Sequence, residues 1–250
     1  MSSVPSLPLP VVAPAAAPNA QAQAPLLQDP VSFLLKLLAT TPPDMRIAVG
    51  LAGVPGSGKT TFAAQLAARV NTALSAPGTA CVVLGMDGFH LSKARLEQGV
   101  GEHTSIECFL RRGAPFTFDG EGFAAALYNV LHEGGNTWPD FDHAIGDPEP
   151  NAITIPSNAR LLIVEGIYVL LREGKGWCTL PPLLSAASWF LDTPREIANE
   201  RLATRHMKAW NLTREAALER IALNDGPNGD IVVESGKFAT ARVLPFEYNI

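Results

Sequence analysis

Cysteine is scarce in this chain, three in 250 residues, and Cys81, Cys108 and Cys178 stand too far apart to form a C-x-x-C pair. That spacing argues against a disulfide framework or a structural zinc site and fits a reducing, cytoplasmic compartment, with the thiols packing as small hydrophobes. Charge is sparse too, 17% of residues, and acids outnumber bases 24 to 19. A net charge of −5 speaks against the basic face that general nucleic-acid or anionic-membrane binding needs, while leaving room for a local phosphate pocket. No uninterrupted apolar run reaches the roughly 18 residues of a spanning helix, so no membrane segment is expected. Internal repeats are absent as well.

What is present divides in two. Residues 1–28 are rich in Pro, Ala, Ser and Gln and have no charged side chain through Leu27. Prolines that cannot donate a backbone bond point to a disordered or polyproline-like tail. A secretory signal would need a basic n-region and a presequence would need arginines, and the tail has neither. Residues 29–250 read as one α/β domain. Phe33, Leu34, Leu37 and Leu38 form a helical stripe closed by Thr41-Pro42-Pro43. Apolar runs at 46–52, 80–86, 160–165, 188–192 and 241–244 predict strands, with helices between them, including one with Phe62, Leu66 and Val70 on one face. Such alternation implies a parallel sheet covered on both sides. The region between the second and third strands reads as turn-rich.

The strand at 46–52 runs into Gly53-Val54-Pro55-Gly56-Ser57-Gly58-Lys59-Thr60-Thr61, a match to G-x-x-x-x-G-K-[ST]. Glycines let successive backbone N–H groups curl around a phosphate, and the following helix aims its positive pole at the anion. Lys59 can reach the β and γ phosphates of ATP, and the Thr60 hydroxyl can ligate Mg²⁺. No N-K-x-D or T-K-x-D segment for guanine and no L-S-G-G-Q-like transporter signature is present.

Further segments follow in order: Asp87-Gly-Phe-His90, Arg112-Gly-Ala-Pro-Phe-Thr-Phe-Asp119, Pro139-Asp-Phe-Asp-His143, Val164-Glu-Gly-Ile-Tyr-Val-Leu170 and Asn224-Asp-Gly-Pro-Asn228. Together with the glycine loop they resemble the phosphoribulokinase/uridine kinase family of P-loop kinases, nearest its pantothenate-kinase-like and bacterial fructose-transport-associated branch. The resemblance covers almost everything except the tail. It implies a three-layer α/β/α fold with a five-stranded parallel sheet in 2-3-1-4-5 order and a helical lid around 194–225. It also implies transfer of the γ-phosphoryl group of ATP to a hydroxyl of a small metabolite, with Asp87 as general base and Glu165 at the second metal-binding position.

Residue chemistry agrees. Asp87 closes a strand, where ligands of open α/β sheets sit, although an Asp-Gly pair can also simply make a turn. Glu165 ends the apolar run from Leu161 to Val164, where a carboxylate needs a cation or an ion-pair partner. Thr193-Pro194-Arg195-Glu196 reads as N-cap, first-turn proline and capping-box glutamate. The helix it opens places Arg201, Arg205 and Lys208 on one face, suited to a transferring phosphate or to solvent. By resemblance His90, Arg111, Arg112, Asp119, Asp142 and His143 fall in the acceptor region, and Asn228 near the adenine. Phe141 and the D-G-F-H form depart from uridine kinases, which leaves pantothenate-, sugar- and nucleoside-like acceptors open. The rival reading is a P-loop hydrolase that acts as a switch or assembly factor. Oligomeric state is unspecified.

Overall fold

A computed structural model describes residues 24–75, 80–142 and 145–246. Helix α1 (Pro30–Thr40) starts where the Asp29 carboxylate accepts from Ser32 N–H at 2.9 Å, and it ends at the expected proline pair. Strand β1 (Ile47–Ala52) enters the glycine loop, which opens into α2 (Lys59–Ala73) and then β2 (Cys81–Gly85). Next come α3 (Lys93–Leu96), α4 (Ser105–Leu110), α5 (Gly120–Tyr128) and a hairpin of β3 (Thr137–Asp142) and β4 (Asp147–Thr154). Strand β5 (Leu161–Glu165), α6 (Leu180–Leu183) and β6 (Ala187–Leu191) follow. The chain closes with α7 (Arg195–Trp210), α8 (Arg214–Arg220), α9 (Gly226–Ser235) and β7 (Ala241–Val243).

The main sheet is parallel and ordered β2-β5-β1-β6-β7, which along the chain is the second, third, first, fourth and fifth strand of that sheet. Alternation along each strand feeds two cores. Leu161 and Ile163 of β5, with Val49 and Leu51 of β1, pack under α1 and α2 against Leu34, Phe62, Leu66 and Val70. Leu162 and Val164, with Ala48 and Ala52, face the opposite layer, which includes Phe123, Leu127, Trp138 and Ala198. This is the three-layer arrangement expected, and it puts the strands' carboxyl ends on one rim. A third small cluster of Leu202, Ala203, Ala217 and Ile221 belongs to α7, α8 and the turn after them. The segment expected to form a lid, 194–225, therefore has a core of its own.

Three expectations change. The stretch between β2 and β5, read as turns, contains the antiparallel β3–β4 hairpin. Its Pro- and Asp-rich strands have low intrinsic strand preference, and the pairing is anchored instead by the buried Trp138. Helix α7 takes Pro194, not Thr193, as its N-cap residue, with no side-chain cap bond. The Thr193 hydroxyl is engaged elsewhere, described below. The predicted tail, 1–28, also overreaches. Leu27 N–H donates to Arg242 O and Arg242 N–H to Pro25 O, each at 2.8 Å, so residues 24–28 run beside β7. Residues 1–23 lie outside the described residues, as does His143. Among the described residues no helix is long and apolar enough to cross a membrane.

Candidate active site

The loop after β1 is shaped by glycines at Gly56 (φ 79°) and Gly58 (φ 87°), both in the left-handed region that side chains resist. Gly56 has a second constraint, because a Cβ there would overlap the Ala198 carbonyl of α7. Gly58 is the N-cap of α2, and no side-chain oxygen caps the helix. The first-turn N–H groups of a fifteen-residue helix thus face the loop's interior, an anion-binding arrangement. Ser57 is buried, and its hydroxyl has no hydrogen-bond partner among the described residues.

Thr60 and Glu165 meet across this rim. The Thr60 hydroxyl donates to Glu165 Oε1 at 2.9 Å, while Oε2 is buried with no partner among the described residues. Burial pushes the Glu165 carboxyl above the usual carboxylate range; nearby Lys59 opposes the shift, Asp87 reinforces it, and the Thr60 bond opposes it. A hydroxyl and a buried carboxylate with a spare oxygen, beside a phosphate nest, form a donor set that fits Mg²⁺. That ion keeps several waters and binds through one or two carboxylates plus phosphates. It needs no all-protein cage, and among the described residues no group of three or more His, Cys, Asp or Glu side chains could form one.

Asp87 lies next to this pair and is exposed. Its placement is fixed by the sheet: Met86 N–H donates to Glu165 O at 2.8 Å, and Asp87 then opens a short 3₁₀ turn to Phe89. Phe89 N–H bonds Met86 O at 2.9 Å and His90 N–H bonds Asp87 O at 3.1 Å.

From α7, Arg201 Nη1 donates to Ser57 O at 3.1 Å and overlies Gly58. The same carbonyl accepts the buried Thr193 hydroxyl at 3.0 Å. Two donors from the β6–α7 segment therefore hold one carbonyl of the glycine loop. Arg205, one turn later, is exposed. Beside the loop is a cavity of about 380 Å³ lined by Gly58, Thr61, Phe62, Gln65, Arg201, Pro245 and Phe246, together with Ser57. Phe246 stacks on Phe62 at 4.7 Å, and the Arg69 guanidinium sits 3.8 Å from its ring centre. Sequence reasoning missed Thr193, Gln65, Pro245 and Phe246. Gln65, Pro245 and Phe246 lie in no recognisable motif, Thr193 read only as a helix cap, and chain closure alone brings the segment after β7 to α2.

The acceptor-side residues gather around aromatic rings. The His90 ring packs on Phe118 at 4.0 Å and on Phe141 at 4.6 Å, with Nδ1 2.8 Å from Asp87 O. Arg112 donates to Leu91 O at 3.2 Å and pairs with Asp147 at 3.3 Å, its guanidinium 5.5 Å from the Phe141 ring. Asp142 turns the hairpin, accepting from Ile145 N–H at 3.1 Å. Asp119 caps α5 by accepting from Gly122 N–H at 2.8 Å. Asn228, expected near the adenine, is held inside the fold. It is 2% exposed, and its Oδ1 accepts from Arg111 Nη2 at 3.1 Å, in a knot where Arg111 Nε also reaches Asn224. The side chain is committed to joining α9 to the end of α4.

No protein-family model matches the chain. Individual relatives do. An ATP-dependent kinase-like protein, notR′ of Aspergillus versicolor, is 39% identical over 156 residues, 60% of this chain and 88% of the relative. A Schizosaccharomyces pombe protein provisionally named a uridine kinase is 35% identical over 73% of this chain and 76% of its own length. A crystal structure of a Silicibacter sp. TM1040 protein, provisionally named a fructose transport system kinase, superposes with TM-score 0.72 at 30% identity, covering 86% of this chain and 97% of that one. With the motifs in register, the glycine loop formed and relatives matched over most of their length, the chain belongs to the phosphoribulokinase/uridine kinase family of P-loop kinases, near its fructose-transport-associated branch.

Proposed function

We propose that this protein is an ATP-dependent kinase that phosphorylates a hydroxyl of a small metabolite. One observation carries the reading: the Thr60 hydroxyl and a partly unsatisfied, buried Glu165 meet at the phosphate nest, with Asp87 fixed beside them by the same sheet register. The nest, Lys59 and the α2 N-terminus, formed from Gly53, Val54, Pro55, Gly56, Ser57, Gly58, Thr60 and Thr61, hold the β and γ phosphates of ATP. The cavity of Gln65, Pro245 and Phe246 takes the base. Thr60 and Glu165 would hold Mg²⁺, which would neutralise negative charge on the phosphates. Asn228 contributes only by bracing α9.

Asp87 accepts the proton of the acceptor hydroxyl as that oxygen bonds to the γ-phosphorus. The bond from phosphorus to the bridging β,γ oxygen breaks, and ADP leaves with that electron pair. Arg201 exchanges part of its hold on the Ser57 carbonyl for the transferring group, and Arg205 closes over it, excluding water. The acceptor lies among His90, Phe141, Arg112 and Asp142. The relatives' names support ATP as donor and a small-molecule acceptor.

The test is ATP-to-ADP turnover against a panel of hydroxylated metabolites (pantothenate, sugars, nucleosides), with acceptor-free controls. Turnover that depends on one acceptor is expected. Hydrolysis indifferent to every acceptor would favour the switch or assembly-factor reading instead.

A further inference from the structure

We infer that Trp138 is the positioning residue for Asp87, acting through the peptide unit that joins Gly85 to Met86; the inference rests on the reading of Asp87 as general base. Strand β2 is the sheet's edge, so its outer side presents backbone groups without a neighbouring strand. At Gly85 the hairpin supplies the missing partner: Trp138 Nε1 donates to Gly85 O at 2.8 Å. The N–H of the same peptide unit belongs to Met86 and donates to Glu165 O at 2.8 Å. One rigid plane is therefore gripped at both poles, by the hairpin on one side and by the metal-site strand on the other. The next peptide leads into Asp87. Rotation of the gripped plane would swing the carboxylate away from the nest, so its two bonds fix Asp87 relative to Glu165.

The indole is itself immobile. Trp138 is 0% exposed, and its ring meets Phe89 edge-on at 5.0 Å and Phe123 at 5.7 Å. Phe89 is the last residue of the Asp87 turn, so the same side chain touches the strand end that leads into the turn, at Gly85, and the turn's last residue. Directly after it, the Pro139 carbonyl occupies the space a Cβ on Gly88 would need. The hairpin thus packs on Gly88 and Phe89 of the turn and leaves Asp87 exposed. Packing alone does not require the N–H. Trp189, fully buried in the opposite core, has an indole nitrogen with no hydrogen-bond partner among the described residues. At 138 the donor is used, and it is used on the backbone two residues before the base.

The experiment is a double-mutant cycle of Trp138→Phe and Asp87→Asn, with Trp189→Phe as the stability control. Release of labelled phosphate from Mg·ATP is followed under single-turnover conditions with water as acceptor, so no unidentified metabolite enters. We expect Trp138→Phe to slow turnover about 10-fold, short of the roughly 100-fold that an ångström of misplacement costs, with ATP affinity unchanged. Trp189→Phe lowers the melting temperature to a similar extent yet keeps the wild-type rate. In the Asp87→Asn background Trp138→Phe slows turnover no further, because the group it positions is gone. An unchanged rate in Trp138→Phe, an equal loss in Trp189→Phe, or a further loss on top of Asp87→Asn would each overturn the inference alone. Asp87→Asn turning over like wild type would remove the base assignment, and the pin with it. Should Trp138→Phe fail to fold, benzothienylalanine at 138 keeps both rings and deletes only the N–H, with the same outcomes expected.

Discussion

Glu165 is the side chain on which the site is least at ease with itself. It is 7% exposed, its Oε2 has no partner among the described residues, and Asp87 adds a second negative charge nearby. Its carboxyl is raised when folded, so between the ordinary carboxylate range and that raised value the folded form binds more protons than the unfolded one. Nucleotide-free protein therefore loses stability as pH rises through that window. Glu165→Gln should abolish this loss, melting higher than wild type at neutral pH without nucleotide, while Mg²⁺-dependent turnover collapses. A wild-type melting curve in the variant would mean the carboxylate is already compensated. Asp87→Asn should keep ATP affinity and lower turnover by roughly 10²–10⁴-fold, the range of a general base; steady-state kinetics with equilibrium ATP binding separate the two. Cysteine chemistry offers a simpler check. Burial pushes the Cys81 thiol up to about 12 and Cys108 is buried, whereas Cys178 is exposed. Alkylation of the native protein at neutral pH should label Cys178 alone, as read by peptide mass mapping.

At the scale of elements, the lid and the glycine loop are tied before any nucleotide arrives. Gly56 leaves no room between the loop and α7, and Thr193 and Arg201 both hold the Ser57 carbonyl. At the other end of α7, buried His206 pairs with Asp225 at 2.8 Å and stacks on Trp210, which docks the helix onto the turn before α9. Thr193→Val keeps the volume and deletes the hydroxyl. It should cost about 1 kcal/mol in stability and weaken ATP binding several-fold, since the loop carbonyl loses a donor. Unaltered ATP affinity by calorimetry would show that the loop holds its shape without it. These ties also mark where sequence reasoning stops. Strand alternation, the glycine loop and the strand-ending acids Asp87 and Glu165 are local patterns, legible because a period or a short motif carries them. Thr193 read as a helix cap because capping chemistry is local, whereas its actual partner lies far away in the chain. Trp138 and Phe246 carried no local signal at all, because their roles exist only once the hairpin and β7 have docked. The motif around Asn228 reads locally as a turn, and its bond with Arg111 likewise exists only in the folded chain.

Across the whole molecule, one ligand would touch segments from every layer. On the proposed reading phosphates would meet the β1–α2 loop and Mg²⁺ would draw on β5, while α7 bears on the loop through Arg201 and the segment after β7 walls the cavity proposed for the base. Bound nucleotide should therefore stabilise the fold as one unit, by about 2.7 kcal/mol at a hundredfold excess over Kd. The base and phosphate shares of that affinity are separable. Phe246 forms a wall of the cavity, backed by Phe62 and capped by Arg69, and none of these three reaches into the phosphate nest as a donor. Aromatic stacking on a base is worth about 1–3 kcal/mol, so Phe246→Ala should raise Kd for ATP by roughly 5- to 150-fold. Affinity for Mg·tripolyphosphate, which has the phosphates and no base, should stay as in wild type, because the amides from Gly53 to Thr61 and Lys59 are untouched. Equal losses for both ligands in a calorimetric titration would mean that Phe246 supports α2 and the nest through packing, and the base would have to be placed elsewhere. Loss for ATP alone would assign the cavity to the nucleobase and leave the hairpin side of the rim, with His90, Phe141 and Arg112, to the acceptor.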